Sequence, residues 1–379
     1  MIDLEKKEKT LFNELFVLEL ANNHWGNLSR GFRIIDQHSA IVRKHKVKAA
    51  IKLQIRDVDN FVHDDFKGNK TERYIKKTEK TKLSESDFVK LIEHIKSAGC
   101  IPMATPFDER SVDFCKDLNL PLLKIASSDI SDWPLIEKVA TKYIPTIVSN
   151  GGSSETELDN VCNFFNKRNI PLAINHCVSH YPTEDSDLEL NQIDYLKNRY
   201  PENVIGFSTH EYQDWHTSMY ISFAKGARTW ERHIDIDYHD VPVSKYCSLP
   251  GQIDEWFAAY WKAKLLCGNL GDKKREISKK ERDYLDALLR GVYAKRELKS
   301  GYQINDLSFE KDFYLAIPLQ KAQISCREVS NCHKNERTVM HGVILKNRIE
   351  ANSPLRLDNL IVEDEKYSSI YKTIVNRGL

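Results

Sequence analysis

A count constrains this chain more than any single motif does: from Phe12 onward, eight short apolar runs alternate with longer segments of helical period. The runs are Leu15–Leu20, Lys48–Gln54, Cys100–Thr105, Pro121–Ser127, Pro145–Asn150, Pro171–Cys177, Asn203–Thr209 and Arg228–Ile234. This is the pattern of repeated βα units, and eight of them predict an α/β fold, a closed (β/α)8 TIM barrel over residues 1–267. The connecting segments carry start signals of their own. Ser84 with Asp87, and Ser154 with Glu157, have capping-box spacing. In DFVKLIEHIKSAG the apolar Phe88, Leu91, Ile92 and Ile95 share one helical face, and Gly99 is placed to end the helix. The polar stretch Val58–Lys82 interrupts the pattern and reads either as a long active-site loop or as a plain surface excursion.

Beyond the barrel the composition turns polar and charged, which marks residues 268–285 as a linker into a small β-rich domain over 286–379. That domain contains a repeat. GVYAKRELKSGYQINDLSFEKD from Gly291 and GVILKNRIEANSPLRLDNLIVED from Gly342 share a GV start, a Lys at the fifth position, Leu or Ile at the eighth, and a DL or DNL segment before an acidic end. Two copies of one short β-rich unit would bury their apolar faces against each other or against the barrel.

Composition narrows the partner. With 56 Lys and Arg against 55 Asp and Glu, the formal charge is +1, so nothing argues for a nucleic-acid surface or a polybasic membrane patch. A small-molecule substrate is expected instead. The N-terminal MIDLEKKEKT lacks a signal-peptide apolar run and no apolar stretch reaches transmembrane length, so a cytoplasmic protein is expected. The eight cysteines are scattered without a CxxC pair, which fits reduced thiols.

In barrels of this kind the chemistry sits at the C-terminal ends of the strands. Those ends carry Glu19, Asn22, Asn23 and His24; Lys52 and Gln54; Thr105 and Phe107; Lys124, Ser127, Ser128 and Asp129; Ser149 and Asn150 before Gly151–Gly152; His176 and Ser179; Ser208 and His210; and Glu231 with His233. Either lysine alone reads equally well as a strand-end salt bridge. Lys52 and Lys124 together with Ser127, Ser149 and Ser208 on one rim read as an anion site for a small ligand bearing phosphate and carboxylate. A lone histidine is more often structural, but His210 and His233 end adjacent strands near Glu19, Asp129 and Glu231, which points to a divalent metal held by imidazole and oxygen ligands. In RTWERHI, period-two alternation sends His233 to the lumen and Arg232 to the helical layer, while Glu231 either pairs on the lumen side or caps the strand.

These residues resemble those of the sialic acid synthase family. ELANNHWGN is similar to its E-I-G-x-N-H-x-G opening, with Ala21 in place of Gly. IKLQ, ATPFDERSVDF, LLKIASSDISDWPLI, IVSNGG, NHCVSHYPT, IGFSTH and ERHI follow in the family's order, and GVYAKRELKSGYQINDL resembles its appended antifreeze-protein-like (SAF) domain. The resemblance implies condensation of phosphoenolpyruvate with an aldose, N-acetylmannosamine or a related hexosamine, to a 3-deoxy-2-ulosonic acid and phosphate. It implies a divalent metal, manganese with magnesium or cobalt as alternatives, on His210 and His233. It places phosphoenolpyruvate on Lys52, Asn69, Thr105, Lys124, Ser127, Ser149 and Ser208, sugar contacts at Gln54, Phe107 and Tyr181, and acid/base work at Glu19 and Asp129. A homodimer is the family's usual assembly.

Three departures touch the sugar side. The family's acidic turn after strand eight is DVPVSKYCS here, its R-P-G segment is replaced by FEKDFYLAIPL, and Ser179 stands where Asn is usual. An acceptor that is not N-acetylated, or is phosphorylated, is the alternative these raise. The rival readings are a Schiff-base aldolase on Lys124 and a sugar-binding protein without turnover.

Overall fold

The computed structural model describes residues 11–69, 71–238, 241–268, 274–305, 311–329, 340 and 342–361. The charged N-terminal decapeptide, part of the polar linker and part of both acidic repeat ends lie outside the described residues. The chain divides into two compact units, Met1–Gly268 and Asn269–Leu379.

In the first unit β1 (Leu15–Ala21), β2 (Lys48–Ile55), β3 (Ile101–Pro106), β4 (Leu123–Ile125), β5 (Thr146–Ser149), β6 (Leu172–Cys177), β7 (Val204–Thr209) and β8 (Thr229–Ile234) pair in parallel and in chain order. Strand β1 also pairs with β8, so the sheet closes into a TIM barrel. A short β9 (Cys247–Ser248) adds to β8. Helices α1 (Leu28–His45), α2 (Val58–Phe61), α3 (Arg73–Lys80), α4 (Glu85–Ser97), α5 (Glu109–Asp117), α6 (Trp133–Ala140), α7 (Glu155–Asn166), α8 (Gln192–Arg199), α9 (Thr217–Lys225) and α10 (Pro250–Cys267) fill the connections. The excursion between β2 and β3 thus carries two helices, α2 and α3, ahead of α4. No helix among the described residues is long and apolar enough to cross a membrane.

Local chemistry sets the helix starts. Ser84 accepts from the Asp87 N–H at the head of α4, and at α7 Ser154 and Glu157 satisfy each other's backbone N–H in a full capping box. Along β1 the alternation is strict: Phe16, Leu18 and Leu20 join the layer between sheet and helices, whereas Leu15 and Val17 join Phe12, Ala50, Met103, Leu122, Ile147 and Ala173 in a separate apolar cluster inside the barrel. That inner plug fills the N-terminal half of the lumen, so polar groups further along the strands collect at the C-terminal end. The closing seam is sealed by aromatics. Phe16 lies 5.2 Å from Trp230, 5.1 Å from Trp256 and 4.8 Å from Phe257, ring centre to ring centre.

The second unit contains α11 (Lys279–Ala287) and two antiparallel pairs, β10 (Gly291–Ala294) with β11 (Phe313–Ala316), and β12 (Ile344–Leu345) with β13 (Leu360–Ile361). The two repeat copies pair with each other. The eighth residues, Leu298 and Ile349, exchange both backbone hydrogen bonds at 2.9 Å. Tyr293, third in the first copy, bridges Pro354, thirteenth in the second, and Gln303, thirteenth in the first, bridges Ile344, third in the second. The unit is therefore an internal pseudo-dimer. Its core draws equivalent positions from both copies: Val292 with Val343, Leu298 with Ile349, and Ile304 with Leu355.

Candidate active site

The polar ends of the strands enclose a cavity of about 510 Å³ at the C-terminal mouth of the barrel. Its floor is an ion cluster. Lys52 pairs with Glu19 on one side and stands 3.3 Å from Glu231 on the other. The second oxygen of Glu231 lies 2.5 Å from the Lys124 ammonium, and Lys52 also donates to Thr105 Oγ1 at 2.8 Å. All four charged side chains are buried. The registry explains the convergence, because Glu19 lies level with Lys52 on β2 and with His233 on β8.

Burial penalises every charge here, yet the outcome differs between the two carboxyls. Burial and repulsion from Glu231 push Glu19 up despite the pull of Lys52. For Glu231 burial acts in the same sense, but Lys124 and Lys52 outweigh it and hold the group down to about 2. Environments that drive neighbouring acids apart separate a fixed charge from a group able to exchange a proton. Lys124 and Lys52 thus hold Glu231 in its charged form, whereas the surroundings of Glu19 favour its protonated form.

Around this floor stand Ser127, Ser149, Ser208, Gln54, Phe107 and Tyr181. Gln54 donates to Glu19 Oε1 at 2.9 Å and accepts from Arg56 at 3.1 Å, and Ser127 Oγ accepts from the Gly151 N–H at 3.1 Å. The Ser149 hydroxyl is buried with no partner. His210 and His233 face each other across the mouth with ring centres 5.4 Å apart, flanked by Tyr181 at 4.0 Å from His210 and Tyr246 at 5.2 Å from His233. Burial holds His210 down to about 4 and, with repulsion from His210 and Lys52, holds His233 well below its ordinary value, so both rings are neutral near pH 7.

The ionisable triplet of β8 divides as alternation predicts. Glu231 and His233 line the cavity, while Arg232 lies on the opposite side and gives its guanidinium to Glu211 Oε1 at 2.6 Å, the Glu211 carbonyl at 2.6 Å and Ser248 Oγ at 3.0 Å. Of the other strand-end histidines, His24 accepts from the Gly26 N–H at 3.0 Å and His176 contacts the Leu188 carbonyl at 2.8 Å; neither lines the cavity.

Two expected contacts lie elsewhere. Asn69 is spent on its own loop, accepting from the Thr71 N–H at 2.8 Å, the Thr71 hydroxyl at 2.7 Å and the Glu72 N–H at 3.2 Å, just ahead of α3. Asp129 ends a 3-10 turn, Ser127–Asp129, that follows the short β4 and leaves its carboxyl out of the cavity lining. Burial raises that carboxyl to about 6. The lining also includes Arg56, Arg73, Lys77 and Tyr246, which strand-end reasoning did not select. Arg56 was within reach, two residues past Gln54 on the same alternation. Arg73 and Lys77 are four apart on α3, a helix that sequence periodicity did not separate from the excursion.

A closed barrel with a buried ion cluster and paired imidazoles at its C-terminal mouth is the architecture of an enzyme. A model of the NeuB family matches residues 42–269, more than half of the chain. The crystal structure of a Chromobacterium violaceum protein described as spore coat polysaccharide biosynthesis protein E superposes with a TM-score of 0.85 at 32% identity, covering 92% of this chain and all of that one. Pseudaminic acid synthase of Campylobacter jejuni serotype O:2 is 28% identical over 300 residues, 76% of this chain and 84% of that protein. Human N-acetylneuraminate-9-phosphate synthase is 26% identical over 293 residues, 75% and 79% of the two chains. The chain belongs to the NeuB family of sialic acid synthases, enzymes that form a carbon–carbon bond by condensing phosphoenolpyruvate with a sugar.

Proposed function

We propose that this enzyme joins C3 of phosphoenolpyruvate to the aldehyde carbon of an open-chain aldose of the hexosamine class, yielding a sialic acid-like 3-deoxy-2-ulosonic acid and inorganic phosphate. The reading rests on the Lys52–Glu231–Lys124 cluster, which provides two buried ammonium groups fixed by one permanent carboxylate and surrounded by hydroxyls. Lys52 and Lys124, with Thr105, Ser127, Ser149 and Ser208, bind the phosphate and carboxylate of phosphoenolpyruvate through charge-assisted hydrogen bonds. Burial leaves these groups little water to compete with. As the new bond forms, the aldehyde oxygen takes a proton and C2 becomes electron-deficient. Glu19 accepts a proton from the water that adds to C2, and phosphate then leaves by cleavage of the C2–O bond. Gln54 holds Glu19 in place, while Phe107 and Tyr181 provide the walls for the sugar.

The His210–His233 pair fits a divalent metal, with manganese the first choice. The Nδ1 of His210 lies 3.1 Å from the Val178 carbonyl, which orients Nε2 as a free lone pair, and both rings are neutral. Among the described residues no third His, Cys, Asp or Glu side chain completes a metal cluster, so two protein ligands would leave the remaining positions open to substrate and water. When bound, such an ion supplies Lewis-acid polarisation of the aldehyde. The small second unit is assigned as an SAF domain on its sequence resemblance, and a homodimer is the expected assembly.

The test is phosphate release from phosphoenolpyruvate with a panel of aldoses, using metal-stripped enzyme with and without manganese, and mass detection of the product. Metal-dependent release with one aldose and a 3-deoxy-2-ulosonic acid product supports the reading. Trapping of Lys124 by borohydride in the presence of pyruvate would replace it with the Schiff-base aldolase.

A further inference from the structure

Each cavity histidine has one partner of a buried ion pair beside it in the chain. Glu211 follows His210, and Arg232 precedes His233. Neither partner lines the cavity; alternation along β8 sends Arg232 to the far side, where both side chains are buried. Arg232 commits its whole guanidinium there. Nη1 donates to Glu211 Oε1 and Nη2 to the Glu211 carbonyl, both at 2.6 Å, while Nε donates to Ser248 Oγ at 3.0 Å. One side chain thus ties β8 to the loop after β7 and to β9. Trp215 Nε1 donates to the same Ser248 hydroxyl at 2.9 Å, and the guanidinium carbon lies 5.8 Å from the ring centres of Trp215 and Trp256. A charge-assisted fork of this kind is both strong and directional.

The two histidines depend on that tie unequally. His210 is also held by its Nδ1, 3.1 Å from the Val178 carbonyl, and by its own carbonyl, which accepts from the Thr183 N–H at 3.1 Å. Among the described residues no hydrogen bond holds the His233 ring, which packs among the rings of His210, Tyr181 and Tyr246. Its direction therefore comes from the β8 backbone, where the preceding residue is Arg232. Stability alone does not account for the pair. Glu211 Oε1 accepts from both Arg232 and the Ser218 hydroxyl, while Oε2 is buried with no hydrogen-bond partner. Apolar side chains of the same volume often stabilise a fold as well as a buried ion pair does. What this pair fixes is the position of one strand end against the next. Resting on the reading of His210 and His233 as metal ligands, we propose that Glu211 and Arg232 are positioning residues, which clamp the loop after β7 to β8 and so hold the two imidazoles where one divalent ion can reach both.

The experiment titrates manganese alone, by calorimetry, into metal-stripped native protein, Glu211→Gln, Arg232→Lys and Leu196→Ala. The last is a control that opens a cavity under α8, away from the site. Gln keeps the size and an accepting oxygen, and Lys keeps the charge but loses the fork. Both clamp variants should bind manganese about tenfold more weakly than native protein, or worse. Their affinity for phosphoenolpyruvate should not change, because Lys52 and Lys124 are untouched. Leu196→Ala should lose stability in urea without losing manganese affinity. Native manganese affinity in both clamp variants overturns the proposal. So does an equal loss in Leu196→Ala, or an equal loss of phosphoenolpyruvate binding, either of which marks general loosening. If native protein binds no manganese, the metal reading fails, and crystal structures of native protein and Arg232→Lys still decide this one. Ring centres of His210 and His233 displaced from their 5.4 Å separation, with the Lys52–Glu231–Lys124 floor unmoved, sustain it. Unchanged ring positions overturn it.

Discussion

Glu19 and Glu231 reach the same ammonium, that of Lys52, from the two strands that close the barrel. Because Glu231 also binds Lys124, it carries the load of two lysines, and Glu19 is left with one lysine, the amide of Gln54 and a like-charged neighbour. This asymmetry drives the pKa values of two chemically identical side chains in opposite directions.

Replacing Glu231 by Gln should strand the buried Lys124 ammonium and leave Lys52 with Glu19 as its remaining carboxylate. Removing one partner from a buried ionic network costs about 3 kcal/mol, because the remaining charges lose compensation. Thermal unfolding should show this loss. It should also show phosphoenolpyruvate stabilising Glu231→Gln more than the native protein, since the ligand's anionic groups replace the missing carboxylate. Equal stabilisation of both proteins would mean that the ligand does not bind at these lysines.

For Glu19 the sign of the pH effect follows from its raised titration. A general base must be ionised, so kcat/KM should fall as pH drops through the Glu19 titration, and that limb should lie above the ordinary 4.5. Glu19→Gln should abolish the limb and lower turnover by about 100-fold or more. A rate–pH profile measured at saturating phosphoenolpyruvate checks both. Persistence of the limb in Glu19→Gln would assign it to another group.

Asp129 lends itself to a stability measurement. Its carboxyl titrates near about 6 in the folded chain against 3.8 when unconstrained, with burial the main cause. The folded state therefore holds a proton that the unfolded state has released, and stability is lost as pH rises from the lower value through the upper one. Discounted for its partial exposure, the charged form costs about 1–2 kcal/mol. Asp129→Asn should be more stable than the native protein at pH 8 by roughly that amount and equal to it near pH 4. If the substitution abolishes turnover without changing the unfolding profile, Asp129 acts in the reaction and not in the fold.

The barrel strands could be read directly because burial on both faces makes them nearly continuous apolar runs, and their ends place side chains by simple alternation. Lys52, Lys124, Glu231 and His233 were accessible for that reason. Regular periodicity gives no such help in the excursion after β2. There Asn69 turns back onto its own backbone, and Arg73 and Lys77 reach the cavity only because α3 is laid beside it. Strand β4 is cut to three residues, so alternation could not carry the direction of Asp129 past Ile125. The repeat in the second unit was visible as sequence similarity, but its meaning is geometric, since position eight of one copy meets position eight of the other.

Gly206 shows what the polar layer demands of the backbone. It stands on β7 level with Thr229 of β8 and Asn175 of β6. The Thr229 hydroxyl donates to Asn175 Oδ1 at 2.5 Å across the space a side chain at Gly206 would fill. A Cβ there would lie 1.8 Å from Thr229 Oγ1 and 2.3 Å from Asn175 Oδ1, distances no real contact tolerates. Neither neighbour is the end of a long flexible chain, so the strands must separate or the buried hydrogen bond must break. Gly206→Ala should therefore destabilise the barrel by about 2–3 kcal/mol, an overpacking cost with a lost buried hydrogen bond. Combining it with Thr229→Ala, which vacates the nearest atom, should recover part of that loss in urea unfolding. Additive losses in the double variant would show that Asn175 Oδ1 and the Thr229 carbonyl, 2.6 Å from the added Cβ, and not the Thr229 hydroxyl, set the limit.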